Sequence, residues 1–569
     1  MRKVDISVQD LVNMVERGEL RLPEMQRRYV WRASRVRDLL DSLYRGYPSG
    51  SILVWETDQA QPSRDLAVSQ QASPFEGHKL LLDGQQRVTS LSAILRGEPV
   101  AVRNKKRPID ILFNLEHPEG MFEFTEVTDD VVDSDDESDD EEEEETEISI
   151  QERLKRSTFV VASKALAQQP NWVSVSEVFK ASDDLSLLEK AGVTDLKDPR
   201  LVKYQNRLQK LRAIRSYQYV MQVLPRELSY EEVAEIFVRV NSLGVKLRGS
   251  DLALAQITAR WRDSLRLLEE FQEECEEDFM SLDLGLLVRA MVIFATGQSR
   301  FESVSNVPTT KLQAGWESAK DGLRFAINFL RQNAGIEDET ILSSPFFFLV
   351  LAYLGNARGE KFHPDEERRL LLWLNVANAR GRFSRGSTET LLDSDLAAIS
   401  RGQGVLEMLD VLRQQFGRLH IQTADFVRKG PNSPLFNLVF LALRARGARD
   451  WETGLKIGLG LQGKNHRIQY HHIIPKSLIK DRYDRREVNE MANMAFISGK
   501  TNRKISNKNP LEYLAKIAEE KGEEYLQMQG VPLDRELWNV ENYPKFLEER
   551  RRLLTEICNG YLDSFRVEE

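Results

Sequence analysis

Only two cysteines occur in 569 residues, Cys275 and Cys558, which excludes a disulfide framework and a zinc site built on several thiolates. Any metal must therefore be held by histidine, carboxylate or amide groups. Histidine is also scarce, with seven in all, so where they cluster carries information. No apolar run reaches the roughly 20 residues of a membrane-crossing helix. The opening stretch, MRKVDISVQDLVNM, lacks the apolar segment and small-residue cleavage site of a secretory signal, which predicts a cytoplasmic protein with no membrane partner. A hydrophobic content of 41% and a charged content of 30% describe a globular chain, long enough for about three domains.

Basic residues are missing from 129 to 147, DDVVDSDDESDDEEEEETE, where fourteen acidic side chains accumulate; without them the net charge of −10 becomes +4. Such a block repels itself, which predicts a disordered insert over residues 128–149. The competing reading, an internal mimic of nucleic acid resting in a basic groove, is the rarer use of such segments.

Elsewhere the pattern is ordered. RVRDLLDSLYR (35–45) carries Val36, Leu39, Leu40 and Leu43 at helical spacing, and PSGSILVWE then turns into a strand. HKLLLDGQQRVTSLSAILRGE (78–98) predicts a strand, a turn at Gly84, and a helix ending before Gly97. RPIDILFNL and MFEFTEV are two further strand candidates. From about 151 to 446 the chain reads as mostly amphipathic helix, for example SYEEVAEIFVRVNSLG (229–244) with Val233, Ile236, Phe237 and Val240 on one face. Asn241 and Gly244 fit the stop of that helix. SSPFFFLVLAYLG (343–355) is apolar nearly all round yet short, which predicts a buried helix. These patterns divide the chain into residues 1–255, a helical connector 256–414, and a last domain 415–569.

Three of the seven histidines fall between His466 and His472, two of them adjacent in the predicted strand RIQYHHIIP. Neighbouring side chains on a strand face opposite ways, so His471 and His472 have separate tasks. A second strand, MAFIS, and a Lys/Asn-rich helix start follow within MANMAFISGKTNRKISNKNP (491–510), an order that gathers His471, His472, Asn493 and Asn502 around one point. Phosphodiester hydrolysis uses such groups: a neutral imidazole accepts a proton from water, a divalent cation neutralises charge on the phosphate, and an amide fixes the tautomer of the base. Between Lys464 and Lys508 stand eleven Lys/Arg against four Asp/Glu, a patch suited to a polyanion, with Lys476, Lys500, Arg503 and Lys504 as candidate DNA contacts.

These residues resemble the HNH, or ββα-metal, endonucleases. HHIIP matches the opening strand of that family, Asn493 its middle asparagine, and Asn502, nine residues on, its last motif position. The resemblance implies that His472 is the general base, that His471 and Asn502 hold Mg²⁺ or Mn²⁺, and that Asn493 orients His472. The spacing between first and middle motifs is long and is filled by KSLIKDRYDRREVNEMA.

In the first third, LLLDGQQRVTS joins a strand end to a helix start, where open N–H groups favour anions and Arg87 could pair with phosphate oxygens. No Gly-Lys-Ser/Thr ending is present, so it is not a Walker motif. Taken alone, Asp83 reads as a helix cap, Gly84 as a turn residue and Arg87 as a surface charge. With LPEMQRRYVWRASRVRDLLDSLYRGYPSGSILVWE (22–56) before it and IFVRVNSLGVKLRGSDL (236–252) after it, this region resembles the N-terminal domain of GmrSD-type, modification-dependent (type IV) restriction systems, relatives of the ParB and sulfiredoxin fold. The resemblance implies nucleoside triphosphate binding and hydrolysis at Asp83, Gly84, Gln85, Gln86 and Arg87, with Gln26 and Arg27 in the same pocket.

The expected fold is multidomain α+β: a ParB/sulfiredoxin-like mixed domain, a largely helical middle and a C-terminal ββα-metal nuclease embedded in helices. The expected function is a nucleotide-regulated antiphage endonuclease acting on foreign or modified DNA, with a divalent metal and a nucleoside triphosphate as cofactors; self-association is left open. Two alternatives remain. One is a defence protein that senses phosphorothioate and nicks DNA. The other is a nucleotide-switched DNA-binding regulator without nuclease activity.

Overall fold

The computed structural model describes residues 1–23, 31, 33–57, 63–64, 78–100, 108–118, 157–195, 197–243, 249–277, 280–384, 386–402, 404–458 and 468–567. MFEFTEV, the acidic block, and the positions Gln26, Arg27, Gly244, Lys464 and His466 lie outside these residues. The chain separates into two compact units, Met1–Arg266 and Leu267–Glu569. The helices read from sequence as a connector thus fall almost wholly in the same unit as the C-terminal segment.

The first unit is built on a mixed six-stranded sheet. Its strands are β1 (Arg2–Ser7), β2 (Leu20–Pro23), β3 (Ile52–Thr57), β4 (Ser63–Arg64), β5 (His78–Asp83) and, far along the chain, Gln218–Leu224. A separate antiparallel trio contains β6 (Ile111–Asn114), β7 (Phe159–Val161) and β8 (Trp172–Ser174), so Gln218–Leu224 is β9. The large sheet runs β1-β9-β3-β5-β2-β4, with β3 parallel to β9 and antiparallel to β5, and β2 parallel to β5.

Alternation sends successive residues of these strands to opposite cores. Ile52, Val54 and Leu81 join the cluster under α1 (Val8–Glu16), α2 (Ala33–Arg45) and α3 (Gln85–Leu95). Leu53, Trp55, Leu80 and Leu82 instead meet Tyr230, Val233 and Phe237 of α5 (Tyr230–Leu243), which follows α4 (Arg200–Arg212). Each such buried leucine contributes about 1.5–3 kcal/mol. The predicted helix 35–45 and the strand–Gly84–helix passage are present. Val240, however, expected on the buried face of α5, is 42% exposed; Ala234 packs beside Val233 and Phe237 instead. The stretch read as helical from 151 onward also contains β7, β8 and β9. QYVMQVL alternates around a hydrophobic strand core, and that period-two signal belongs to β9.

In the second unit, α6 (Leu284–Thr296), α7 (Thr309–Gln332) and α8 (Phe346–Arg358) pack side by side, and α8 is buried along most of its length, as its all-round apolar sequence predicts. α9 (Pro364–Ala379) opens on proline with three acids in its first turn, a good complement to its N–H groups. Both α9 and α10 (Leu435–Ala445) pack on α12 (Tyr543–Asp563), and between α10 and α12 in sequence lie β10 (Ile468–His472), β11 (Met494–Ser498) and α11 (Gly499–Ile505). β10 and β11 pair antiparallel, with His471 opposite Ala495 and His472 opposite Met494.

A two-stranded ribbon is marginal alone. Here the outer edge of β11 is closed by side chains from three other segments. Arg550 Nη2 donates to Met494 O at 2.8 Å; Gln529 accepts from Phe496 N–H at 3.2 Å and donates to Phe496 O at 2.6 Å; Asp450 accepts from Ser498 N–H at 2.7 Å. The edge therefore has no open ladder to offer another chain.

Candidate functional site

The two histidines at the end of β10 do point apart. His471 is 4% exposed, and its Nδ1 lies 2.7 Å from Asn502 Oδ1 on α11. His472 is half-buried on the other side, its Nε2 3.0 Å from Asn489 Oδ1. With the amide oxygens as acceptors, His471 Nδ1–H and His472 Nε2–H are the donors. That tautomer leaves His472 Nδ1 with a lone pair. It also leaves His471 Nε2 with one, buried and without a hydrogen-bond partner among the described residues. Burial pushes the His471 imidazole down to about 4, against the bond to Asn502 that raises it. Burial lowers His472 as well, opposed by Asn489 and assisted by the charge of Lys476. Both rings are neutral near pH 7, the state required of a base and of a metal ligand.

Asn493 does not touch His472 as expected. It is fully buried just before β11; its Oδ1 accepts from Ile474 N–H at 2.9 Å and its Nδ2 donates to Ile474 O at 3.0 Å. The antiparallel register explains this: Asn493 lies across from Ile473, whose N–H donates to Asn493 O, so its amide reaches the backbone beyond His472 rather than the ring. The ring contact belongs to Asn489, at the C-terminal cap of the short helix Arg485–Val488. The sequence signal for Asn489 is faint: an amide after a capped helical turn inside the long spacing between the first and middle motifs.

Lys476, Lys500, Arg503 and Lys504 are all exposed, around the turn after His472 and along α11. Lys504 is already paired with Glu452 at 2.5 Å. A divalent cation suits the His471–Asn502 pair chemically once the ring proton is carried on Nε2, since His471 Nδ1 and Asn502 Oδ1, 2.7 Å apart, then present two lone pairs side by side. Among the described residues no group of three or more His, Cys, Asp or Glu side chains gathers as a metal cluster.

In the first unit, Gly84 takes φ 96° and ends the turn from β5 into α3 without a side-chain cap. Asp83 caps nothing; it accepts from Arg87 Nη2 at 3.0 Å, while Arg87 Nη1 donates to Ser49 O at 2.5 Å. Arg87 is thus folded inward, fastening the loop before β3 to the DGQQR turn instead of presenting its fork outward. Gly50, at φ 92°, makes room, for a Cβ there would lie 2.2 Å from Arg87 Nη1. Gln86 accepts from Trp31 N–H at 3.1 Å, and Gln85 is half-buried beside it at the helix start.

Residues 8–258 match the model of the GmrSD restriction endonuclease N-terminal domain. Over that stretch, a little under half of its length, the chain is similar to the GmrSD family. The match takes in five of the six strands of the large sheet, β1 lying just before it, together with most of the helices packed on them, and it stops short of the second unit. Similarity also extends along most of the chain to an uncharacterized protein of Methanocaldococcus jannaschii, MJ0686, 21% identical over an alignment 616 positions long that covers 96% of this chain and 97% of that one. Among the described residues no helix is long and apolar enough to cross a membrane.

Proposed function

We propose that the protein is a metal-dependent DNA endonuclease of HNH type, regulated by nucleotide at its GmrSD-type domain and directed at foreign or modified DNA. The observation that carries the reading is the state of His472: neutral, held through Nε2 by Asn489, and adjacent in sequence to the His471–Asn502 pair. In this reading His472 Nδ1 takes the proton of the attacking water. Asn493 keeps the chain after His472 in place through the Ile474 backbone. His471 and Asn502 would hold a divalent cation, which when bound supplies charge neutralisation at the scissile phosphate. Lys476, Lys500 and Arg503 add phosphate affinity that does not depend on sequence.

The nucleotide part of the proposal rests on the family relationship and on the helix start at Gln85–Arg87, whose N–H groups suit a phosphate. Since Arg87 is engaged by Asp83 and Ser49, its role there is to shape the loop at residues 46–51. The test incubates the protein with modified phage DNA and with plain plasmid, with Mn²⁺ or Mg²⁺, with and without nucleoside triphosphate. Metal-dependent cleavage of the modified DNA that is lost in His472→Ala is expected. Salt-sensitive binding with no scission under any condition would favour a DNA-binding switch.

A further inference from the structure

A carboxylate outside the motif residues governs where the metal-holding amide sits. Asp450 lies 5% exposed in a turn after α10. Its Oδ1 accepts from Glu452 N–H at 3.0 Å, Thr453 N–H at 2.7 Å, Thr453 Oγ1 at 2.9 Å and Thr501 Oγ1 at 2.7 Å. Its Oδ2 accepts from Ser498 N–H at 2.7 Å. Burial alone would raise its pKa, but these donors together hold the carboxyl below the usual range.

Of the five donors, the Thr501 hydroxyl lies within α11 and the Ser498 N–H stands at its start. Ser498 is its N-cap, with the hydroxyl accepting from Thr501 N–H at 3.3 Å, and Thr501 is buried immediately before Asn502. The same turn also grips the helix further on, through the Glu452 bond to Lys504. α11 has only seven residues, far below the length at which a helix holds itself together. Its orientation is therefore set by what anchors it, and the distance between Asn502 and His471 with it.

We propose that Asp450 is a positioning residue of the metal site: through Thr501 and Ser498 it fixes α11 so that Asn502 and His471 converge on one divalent cation. The inference rests on the metal-dependent reading of this site. Asp450→Asn turns an N–H₂ toward the N–H of Ser498 or the hydroxyl of Thr501, and Thr501→Val deletes the hydroxyl's bonds to Asp450 and to Ser498 Oγ while preserving shape.

The test titrates Mn²⁺ into the full-length protein and follows the free-ion electron paramagnetic resonance signal. It compares wild type with His471→Ala, Asp450→Asn, Thr501→Val and Thr501→Ser. Thermal unfolding in chelator checks each fold. Mn²⁺ affinity is expected to fall about tenfold in Asp450→Asn and Thr501→Val and to return in Thr501→Ser. Should Asp450→Asn fail to fold, the Thr501 pair decides alone. Wild-type affinity in both Asp450→Asn and Thr501→Val, with binding lost in His471→Ala, would overturn the positioning role. Wild-type affinity in His471→Ala would instead overturn the metal site itself, and the inference with it.

Discussion

At the scale of single residues, burial sets the protonation of the two strand histidines, and proton balance then fixes how activity and stability respond to pH. Cleavage that uses His472 as base falls when the ring is protonated, so the acid limb of the rate profile is expected below the ordinary histidine value of 6.5. Asn489 raises the pKa of His472, so Asn489→Ala should move that limb further toward acid and lower the plateau about 10–100-fold, as loss of a ring-orienting partner does. An unchanged profile would remove Asn489 from the mechanism. His472→Ala is expected to cost about 10²–10⁴-fold in rate.

His471 gives a stability signature of its own. Its folded pKa of about 4 lies below the ordinary 6.5, so the unfolded chain binds the proton more readily between these values. Stability is full above the unfolded value and is lost as pH falls from there toward about 4, on the order of 2 kcal/mol between pH 7.5 and 5. His117 in the first unit, buried, bonded to Tyr44 Oη at 3.1 Å and also pushed by burial to about 4, behaves the same way. Melting curves of His471→Asn and His117→Asn at the two pH values separate the contributions, each variant losing part of the acid sensitivity.

At the scale of elements, the regular patterns were legible and the tertiary partnerships were not. β5, Gly84 and α3 follow from an apolar run, a glycine and a helical period, and β10, β11 and α11 from HHIIP, MAFIS and a polar helix start. β9 was lost in the helical stretch because its seven residues carry their alternation between long amphipathic helices. Asn489 and Asp450 escaped because their roles depend on partners 17 and 48 positions away in the chain. Gln26 and Arg27 stay as sequence expectations. The Arg87 staple yields a prediction at this scale. Arg87→Ala leaves Asp83 and the Ser49 carbonyl without a donor and should destabilise the first unit by about 1–3 kcal/mol, read by urea unfolding; Arg87→Lys should not restore it, since one ammonium cannot reproduce the two-armed contact. Full stability of either variant would contradict the staple.

At the scale of the whole molecule, charge is segregated: fourteen acids stand in one sequence block, while the stretch from Lys464 to Lys508 is net basic. DNA affinity is therefore expected to fall steeply with salt despite the overall charge of −10. Lys500→Ala and Arg503→Ala should each reduce the slope of log affinity against log salt by about 1. Lys504→Ala should reduce it less, because Glu452 already neutralises that ammonium. Equal slopes for all three would mean that the Glu452 pair opens on DNA.

Whether a neutral His472 beside the His471–Asn502 pair cuts DNA is tested most directly by single-turnover cleavage of modified phage DNA in Mn²⁺, with wild type, His472→Ala and His471→Ala compared at limiting and saturating metal. The expected result is cutting in wild type, loss in His472→Ala at every metal concentration, and recovery of His471→Ala only as metal rises. Equal cutting by all three proteins, or none by wild type in any metal and with any nucleoside triphosphate, would contradict it.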